Sequence, residues 1–290
     1  MRIGGWSAAN GKVYMGSLWE QAKSRSQEAL ASGKLIHLKT QESILEEAGV
    51  RFLLRLARNL ARKAQQPEQG KPENPFLPYD SDLFVADASA THAVLLNKYN
   101  VLDQHLLVVT RRFESQESVL TEADFAALCL CLAEKESLGF YNGGPDAGAS
   151  QAHKHLQVVP LPFSAQTEPL PISPLWERPQ ALPFRYAQQR VPRVPDSRVW
   201  ALEVHRAYQR LLGELGLTEL PDGRISVPYN LLVTWDRILV VPRSRERFHT
   251  VSVNALGFVG SFFVKTEEEA ALVRRTGPLQ VLREVSQPKS

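Results

Sequence analysis

The sequence predicts an α+β fold, mainly antiparallel sheet flanked by helices, with two halves joined by a long proline-rich connection. Three short apolar runs, Leu83–Ala86, His92–Asn97 and His105–Thr110, follow one another at spacings that suit an antiparallel meander. Segments of helical periodicity with start signals lie on either side of them. Nine of the 19 prolines fall between Pro160 and Pro195, a density that no continuous helix or sheet accommodates.

Size and composition bound the rest. A chain of 290 residues that is 43% hydrophobic can bury one large core or two modest ones. The net charge of +3, from 34 basic and 31 acidic residues, is too small for a general nucleic-acid binder, yet leaves room for a local basic cleft. Two cysteines, Cys129 and Cys131, sit two apart on a predicted helix, where they point in different directions and cannot form a normal disulfide. That suits a reducing compartment. No apolar run is long enough to span a membrane, and the N-terminal residues lack the apolar core of a signal peptide. A cytoplasmic protein is expected.

Taken in order, residues 1–16 read as a loose N-terminal extension. Ser17 and Glu20 form a capping-box pattern that opens a helix running to about Ser32 and stopped by Gly33. Lys34–Leu38 reads as a short strand. Phe52, Leu53, Leu56 and Leu60 then predict a helix with an apolar stripe, surrounded by Arg51, Arg55, Arg58, Arg62 and Lys63. Those bases read as a solvated face, with Lys63, at the helix end, best placed to reach a ligand. Asn97 and Lys98 end the middle strand of the meander, where polar side chains can face a site at the sheet edge. Thr121 caps a helix to about Lys135. Beyond the prolines, Val199–Leu215 has a helical pattern, and Tyr229–Thr234 pairs with Arg237–Val241 around a tight turn at Trp235-Asp236.

The stretch Tyr141–Pro162 concentrates the chemistry. A turn-forming run, Asn142 to Asp146, leads through Gly148, Ala149, Ser150 and Gln151 into His153-Lys154-His155-Leu156-Gln157. On a strand, His153, His155 and Gln157 would project from one face. Three readings follow. The histidines could be alternate polar residues of a half-exposed strand. They could chelate a metal, although no third ligand lies at a recognisable spacing and the cysteines are on another element. Or a neutral imidazole could attack phosphorus, with the Gly148–Gln151 loop supplying backbone N–H groups and a hydroxyl, and the Gln157 amide donating to the same oxygens. The conjunction of loop, His-x-His-x-Gln and the following Val-Val-Pro is more specific than His-x-His alone.

The string Asn142–Gln157 resembles the active-site signature of the diadenosine tetraphosphate phosphorylases (ATP adenylyltransferases) of the histidine-triad superfamily, related to galactose-1-phosphate uridylyltransferase. Leu95–Val101, His105–Thr110, Tyr229–Thr234, Val240–Arg243 and Asn254–Lys265 match as well, so the similarity runs from about residue 60 to 265. The resemblance implies a histidine-triad-like fold, with residues 17–165 as a motif-bearing N-terminal half, 166–196 as the connection, and 197–290 as a C-terminal half completing the nucleotide site. It implies that His155 is the nucleophile on the α-phosphorus of a dinucleoside polyphosphate, that His153 supports it, and that Gln157 replaces the third histidine of hydrolytic relatives. ATP would leave, and orthophosphate would release the adenylyl group as ADP. Lys63, Asn97, Lys98, Asn142, Gly148, Ala149, Ser150, Gln151, Asn254, Ala255, Leu256, Ser261 and Lys265 would line the nucleotide and phosphate site. No tightly bound cofactor or protein-held metal is implied; a divalent cation such as Mg could accompany the substrate. No nucleic-acid or membrane partner is expected. An adenylyl-sulfate phosphorylase or a sugar-1-phosphate nucleotidyltransferase would use the same His155, and a nucleotide-binding sensor would keep the pocket without turnover.

Overall fold

The computed structural model describes residues 17–57 and 74–289. The Ser17–Glu20 capping box forms and opens α1 (Leu18–Ala31). Three strands follow, β1 (Ile36–His37), β2 (Gln41–Glu47) and β3 (Val50–Leu56). The meander is β4 (Phe84–Asp87), β5 (His92–Leu96) and, after the two-residue β6 (Tyr99–Asn100), β7 (Leu106–Thr110). Next come α2 (Glu122–Ala133, capped by Thr121 and Asp124), β8 (Ser137–Gly143) and β9 (His155–Pro160). The connection holds a short helix, α3 (Ser173–Trp176), a 3-10 turn (Pro179–Ala181) and, where the prolines predict no sheet, strand β10 (Ala187–Arg190), which pairs with β12 (Arg237–Pro242) between Pro183 and Pro192. The C-terminal part comprises α4 (Ser197–Glu214), β11 (Tyr229–Val233), β12, the ribbon of β13 (Arg247–Phe248) and β14 (Val251–Ser252), β15 (Ser261–Val264), α5 (Glu267–Thr276) and α6 (Pro278–Val285).

One eight-stranded sheet, ordered β10-β12-β11-β8-β9-β7-β5-β4 and antiparallel at every joint, runs through both halves of the chain. The halves meet where β8 pairs with β11, Asn142 opposite Asn230. Both faces are covered. Tyr141, Leu156, Val158, Leu231 and Val240 point into a core with α1, α2 and α4; Phe140, Val159, Leu232 and Val241 point into a second core with β3, β15 and the connection. This is the period-2 alternation of a sheet buried on both sides.

The helix expected over Phe52–Leu60 is not formed: Val50–Leu56 is strand β3. Ala48 and Gly49, both at positive φ, turn β2 into it as a two-residue hairpin, and Leu53 to Leu56 pair in parallel with Ser261 to Val264 of β15. A contiguous apolar run fits a buried strand as well as a helix, and the deciding partner lies about 200 residues away. Arg55, expected on a solvated face, is buried and bonds to Glu42, Ser261 and the carbonyl of Phe163. Leu60 and Lys63 lie outside the described residues, as does the 1–16 extension. Cys129 and Cys131 are buried and unbonded on α2, and burial pushes both thiols well above the ordinary range.

Candidate active site

His155, which opens β9, and His153, two residues before it, are locked in opposite tautomers. His155 Nδ1 lies 2.8 Å from the main-chain oxygen of His153. A carbonyl only accepts, so Nδ1 carries the hydrogen and Nε2 keeps its lone pair. No hydrogen bond to that Nε2 is made among the described residues. His153 is the reverse: Nε2 donates to the Thr110 carbonyl at 2.8 Å, and Nδ1 receives the Asn74 amide at 2.9 Å. Both of its nitrogens are therefore spent, and His155 retains the free one. The rings pack against Phe76, with centroids at 5.6 Å and 5.3 Å. Burial lowers the pKa of His155 to about 4 and also lowers that of His153, so the His155 imidazole is neutral at pH 7.

Gln157 shares the His155 face, two residues on. Its Oε1 accepts from His105 Nε2 at 2.9 Å, while His105 Nδ1 receives the Asn97 amide at 3.3 Å. This fixes the amide with its NH2 group making no hydrogen bond among the described residues. Burial brings the His105 pKa down to about 4 as well, and the proximity of His155 adds to the effect. Asn97, expected to contact substrate, spends its amide on His105 instead.

Gln116 clamps the His155 peptide. Its Oε1 accepts from His155 N–H at 2.8 Å, and its Nε2 donates to the carbonyls of His155 and Asn142. The loop before the motif is held by a polar cluster from both halves. Asn142 Oδ1 accepts from Asn230 and from the Ala255 N–H; the buried Arg243 donates to Asn230, to the carbonyls of Ala147 and Val253, and to Val285. Burial pulls its guanidinium down to about 9. Gly148, at φ +90°, packs so closely on Asn254 that a Cβ there would stand 2.9 Å from its Cα. No other residue fits both the angle and the contact.

Several of the expected backbone donors are already engaged within the protein. The Gly148 and Ala149 N–H groups bond within the loop, to Pro145 and Gly144, which leaves those of Ser150 and Gln151 without hydrogen bonds among the described residues. The Ala255 and Leu256 N–H groups are likewise consumed, by Asn142 and by Asn254 Oδ1, so this turn fastens the loop. Ser261 accepts from Arg55. Lys98 is exposed over the Tyr99 ring at 5.8 Å, and Lys265 precedes α5 with its N–H bonded to Glu269. Among the described residues, neither lysine is hydrogen-bonded to the histidines. Among the described residues, no group of three or more His, Cys, Asp or Glu side chains could hold a metal ion, and no helix is long and apolar enough to cross a membrane.

Sequence reasoning missed His105, Thr110, Gln116, Asn230 and Arg243. His105 and Thr110 are the polar ends of an apolar strand, and Asn230 and Arg243 sit inside the matched strings, so a signal existed for four. Gln116 lies in a loop and carried none.

Comparison with known proteins places the whole chain. Residues 8–178 match the family model for the Ap4A phosphorylase N-terminal domain, and residues 180–288 the model for the ATP adenylyltransferase C-terminal domain. The chain is 28% identical over 275 residues to diadenosine 5′,5‴-P1,P4-tetraphosphate phosphorylase 2 of Saccharomyces cerevisiae, covering 81% of this chain and 83% of the yeast protein. It is 27% identical over 270 residues to Protein APA1 of the same yeast, covering 81% and 82% respectively. The crystal structure of yeast Ap4A phosphorylase Apa2 in complex with Ap4A shares its fold, with a TM-score of 0.75 and 23% identity, covering 96% of this chain and 100% of that one. Matched along nearly its whole length by the two domain models, the chain belongs to the Ap4A phosphorylase/ATP adenylyltransferase family.

Proposed function

We propose that the protein is a nucleotidyltransferase that phosphorolyses diadenosine 5′,5‴-tetraphosphate to ATP and ADP, reversibly, through an adenylyl group carried on His155. The observation that supports this best is the single unspent nitrogen: Nδ1–H is tied to the His153 carbonyl, and Nε2 is left as a neutral nucleophile. Nε2 attacks the α-phosphorus, the bond to the β-phosphate oxygen breaks, and ATP leaves with the electron pair. The ring keeps its Nδ1 proton, and its positive charge faces the His153 carbonyl. An oxygen of orthophosphate then attacks the same phosphorus, the P–N bond breaks back onto Nε2, and ADP departs. Neither half needs a proton from the protein, because the leaving group and the acceptor are both anionic oxygens. The work left is positioning and charge stabilisation.

In this reading the Gln157 NH2, the Ser150 and Gln151 N–H groups and the Ser150 hydroxyl meet the non-bridging oxygens. Asn142, Gly148, Ala149 and Asn254–Leu256 shape the loop that carries them. Lys63, Lys98 and Lys265 act on the polyphosphate as point charges, and Asn97 and Ser261 serve through His105 and Arg55. The 17–165 half supplies the nucleophile and the 197–290 half anchors its loop. A divalent cation would enter with the substrate. We place the reaction in the cytoplasm, which the two unbonded cysteines suit.

The test is intact-mass measurement after incubation with diadenosine tetraphosphate and no phosphate. A gain of one adenylyl group, with one ATP released and the adduct discharged as ADP on adding phosphate, is the expected result. Continuous turnover at an unchanged rate without phosphate would identify a hydrolase instead.

A further inference from the structure

The adenylyl-enzyme must choose between two acceptors, orthophosphate and water, and water is by far the more abundant. They differ in one chemical respect. Phosphate brings an anionic oxygen, whereas water must shed a proton and gains from an acceptor that orients it. A glutamine carbonyl can play that part, as in nucleotide hydrolases where a glutamine positions the attacking water. Gln157 is the same residue type on the nucleophile's own face, and its oxygen is turned to another partner. His105 Nε2–H holds Oε1 at 2.9 Å.

Each member of this chain fixes the next. Asn97 Oδ1 accepts from the Tyr99 N–H at 3.3 Å, which turns the Asn97 NH2 toward His105 Nδ1. A ring that accepts at Nδ1 carries its hydrogen on Nε2. Flipping the Gln157 amide would set its NH2 against that N–H, two donors face to face, and forfeit the bond. His105 is buried, packs against Phe140 at 5.9 Å, and has no carboxylate partner among the described residues. Its two nitrogens are occupied by the two amides.

We propose that His105 is a specificity-determining positioning residue: by holding the Gln157 oxygen turned to itself it leaves the NH2, a donor, to meet the reacting phosphate, offers an attacking water no acceptor there, and so reserves the adenylyl group for phosphate. The inference rests on the adenylyl-His155 reading. In the competing reaction a water oxygen bonds to phosphorus, the P–N bond breaks onto Nε2, the water proton passes to solvent through the acceptor, and AMP leaves in place of ADP.

The experiment is the AMP share of product from diadenosine tetraphosphate at fixed orthophosphate, for the full chain and three variants. His105→Leu removes the donor and should raise the AMP:ADP ratio about tenfold, the weight of one hydrogen bond. His105→Gln, which can again present an N–H to Oε1, should restore a ratio near the parent's. Asn97→Leu, at a half-buried position that spares the core, frees the tautomer and should move the ratio in the same direction as His105→Leu. A lower rate with an unchanged ratio in both His105→Leu and Asn97→Leu would reduce His105 to a packing residue and overturn the proposal. Failure of the underlying reading looks different: the parent protein itself would take up no adenylyl group and release no ATP.

Discussion

Along His153–Gln157, alternate side chains meet two different kinds of surroundings. The odd positions, with His105 behind them, are neutral groups in which each atom is fixed as donor or acceptor, and one lone pair is left over. The even positions lie on the other side of the sheet. Lys154 is buried against Glu114 Oε2 at 2.7 Å and Asp124 Oδ2 at 3.3 Å, and Asp124 also receives His92 and Thr121. Burial would raise the Asp124 carboxyl, but those partners outweigh it and hold it below the ordinary range. One side therefore keeps capacity for a ligand, while the other pairs every charge it buries. Specific chemistry should be lost from the odd positions and specific stability from the even ones.

The largest effect should come from His155→Asn. It keeps a polar side chain but removes the attacking nitrogen, so ATP release in a single turnover should fall by roughly 10⁴-fold or more, with thermal stability little changed. Survival of phosphate-dependent ATP release would show that another atom attacks. The next effect belongs to the opposite side. Lys154→Met leaves the Asp124 carboxylate buried without its cation and should cost roughly 3–5 kcal/mol in denaturant unfolding. The activity of the fraction that remains folded should stay within a few-fold of the parent. If that activity instead collapsed as it does in His155→Asn, the separation of the two sides would be wrong.

The sequence carried the local parts of this arrangement well. The Ser17–Glu20 box, the Thr121 cap, the 84–110 meander and the turn at Trp235-Asp236 are each decided by residues a few positions apart, and each stands where expected. The His-x-His-x-Gln motif was legible because strand alternation assigns its faces. What was not legible depended on distant partners. β3 looked helical because β15, which makes it a strand, comes about 200 residues later. Arg55 reads as an ordinary surface base, since nothing in its neighbourhood announces the carbonyl that buries it, and Arg243, inside a matched string, carries no assigned role although it holds the Val253 carbonyl. The loop donors were overcounted for the same reason: a glycine-rich run reveals its freedom but not which N–H groups it will spend on itself.

The smallest expected effect is close to none, and it is the most discriminating. A histidine of ordinary pKa near 6.5 would be about one-quarter neutral at pH 6 and almost wholly neutral at pH 8, a difference of about fourfold in nucleophile. With its pKa near 4, His155 is neutral at both values. Diadenosine tetraphosphate has no terminal phosphate to titrate in that range, and omitting orthophosphate removes the other titrating reactant. Single-turnover ATP formation should thus vary by less than about twofold between pH 6 and 8. A fourfold rise would place His155 in water-like surroundings and remove the contrast between the two faces. The same depression sets the sign of acid sensitivity. Below about pH 6.5 the unfolded chain protonates His105 and His155 while the folded chain does not, so stability falls with pH until the folded pKa near 4 is reached. Each histidine should contribute up to about 3 kcal/mol to that loss. Chemical denaturation at pH 7 and pH 5, with His105→Leu as the control that removes one share, measures it directly.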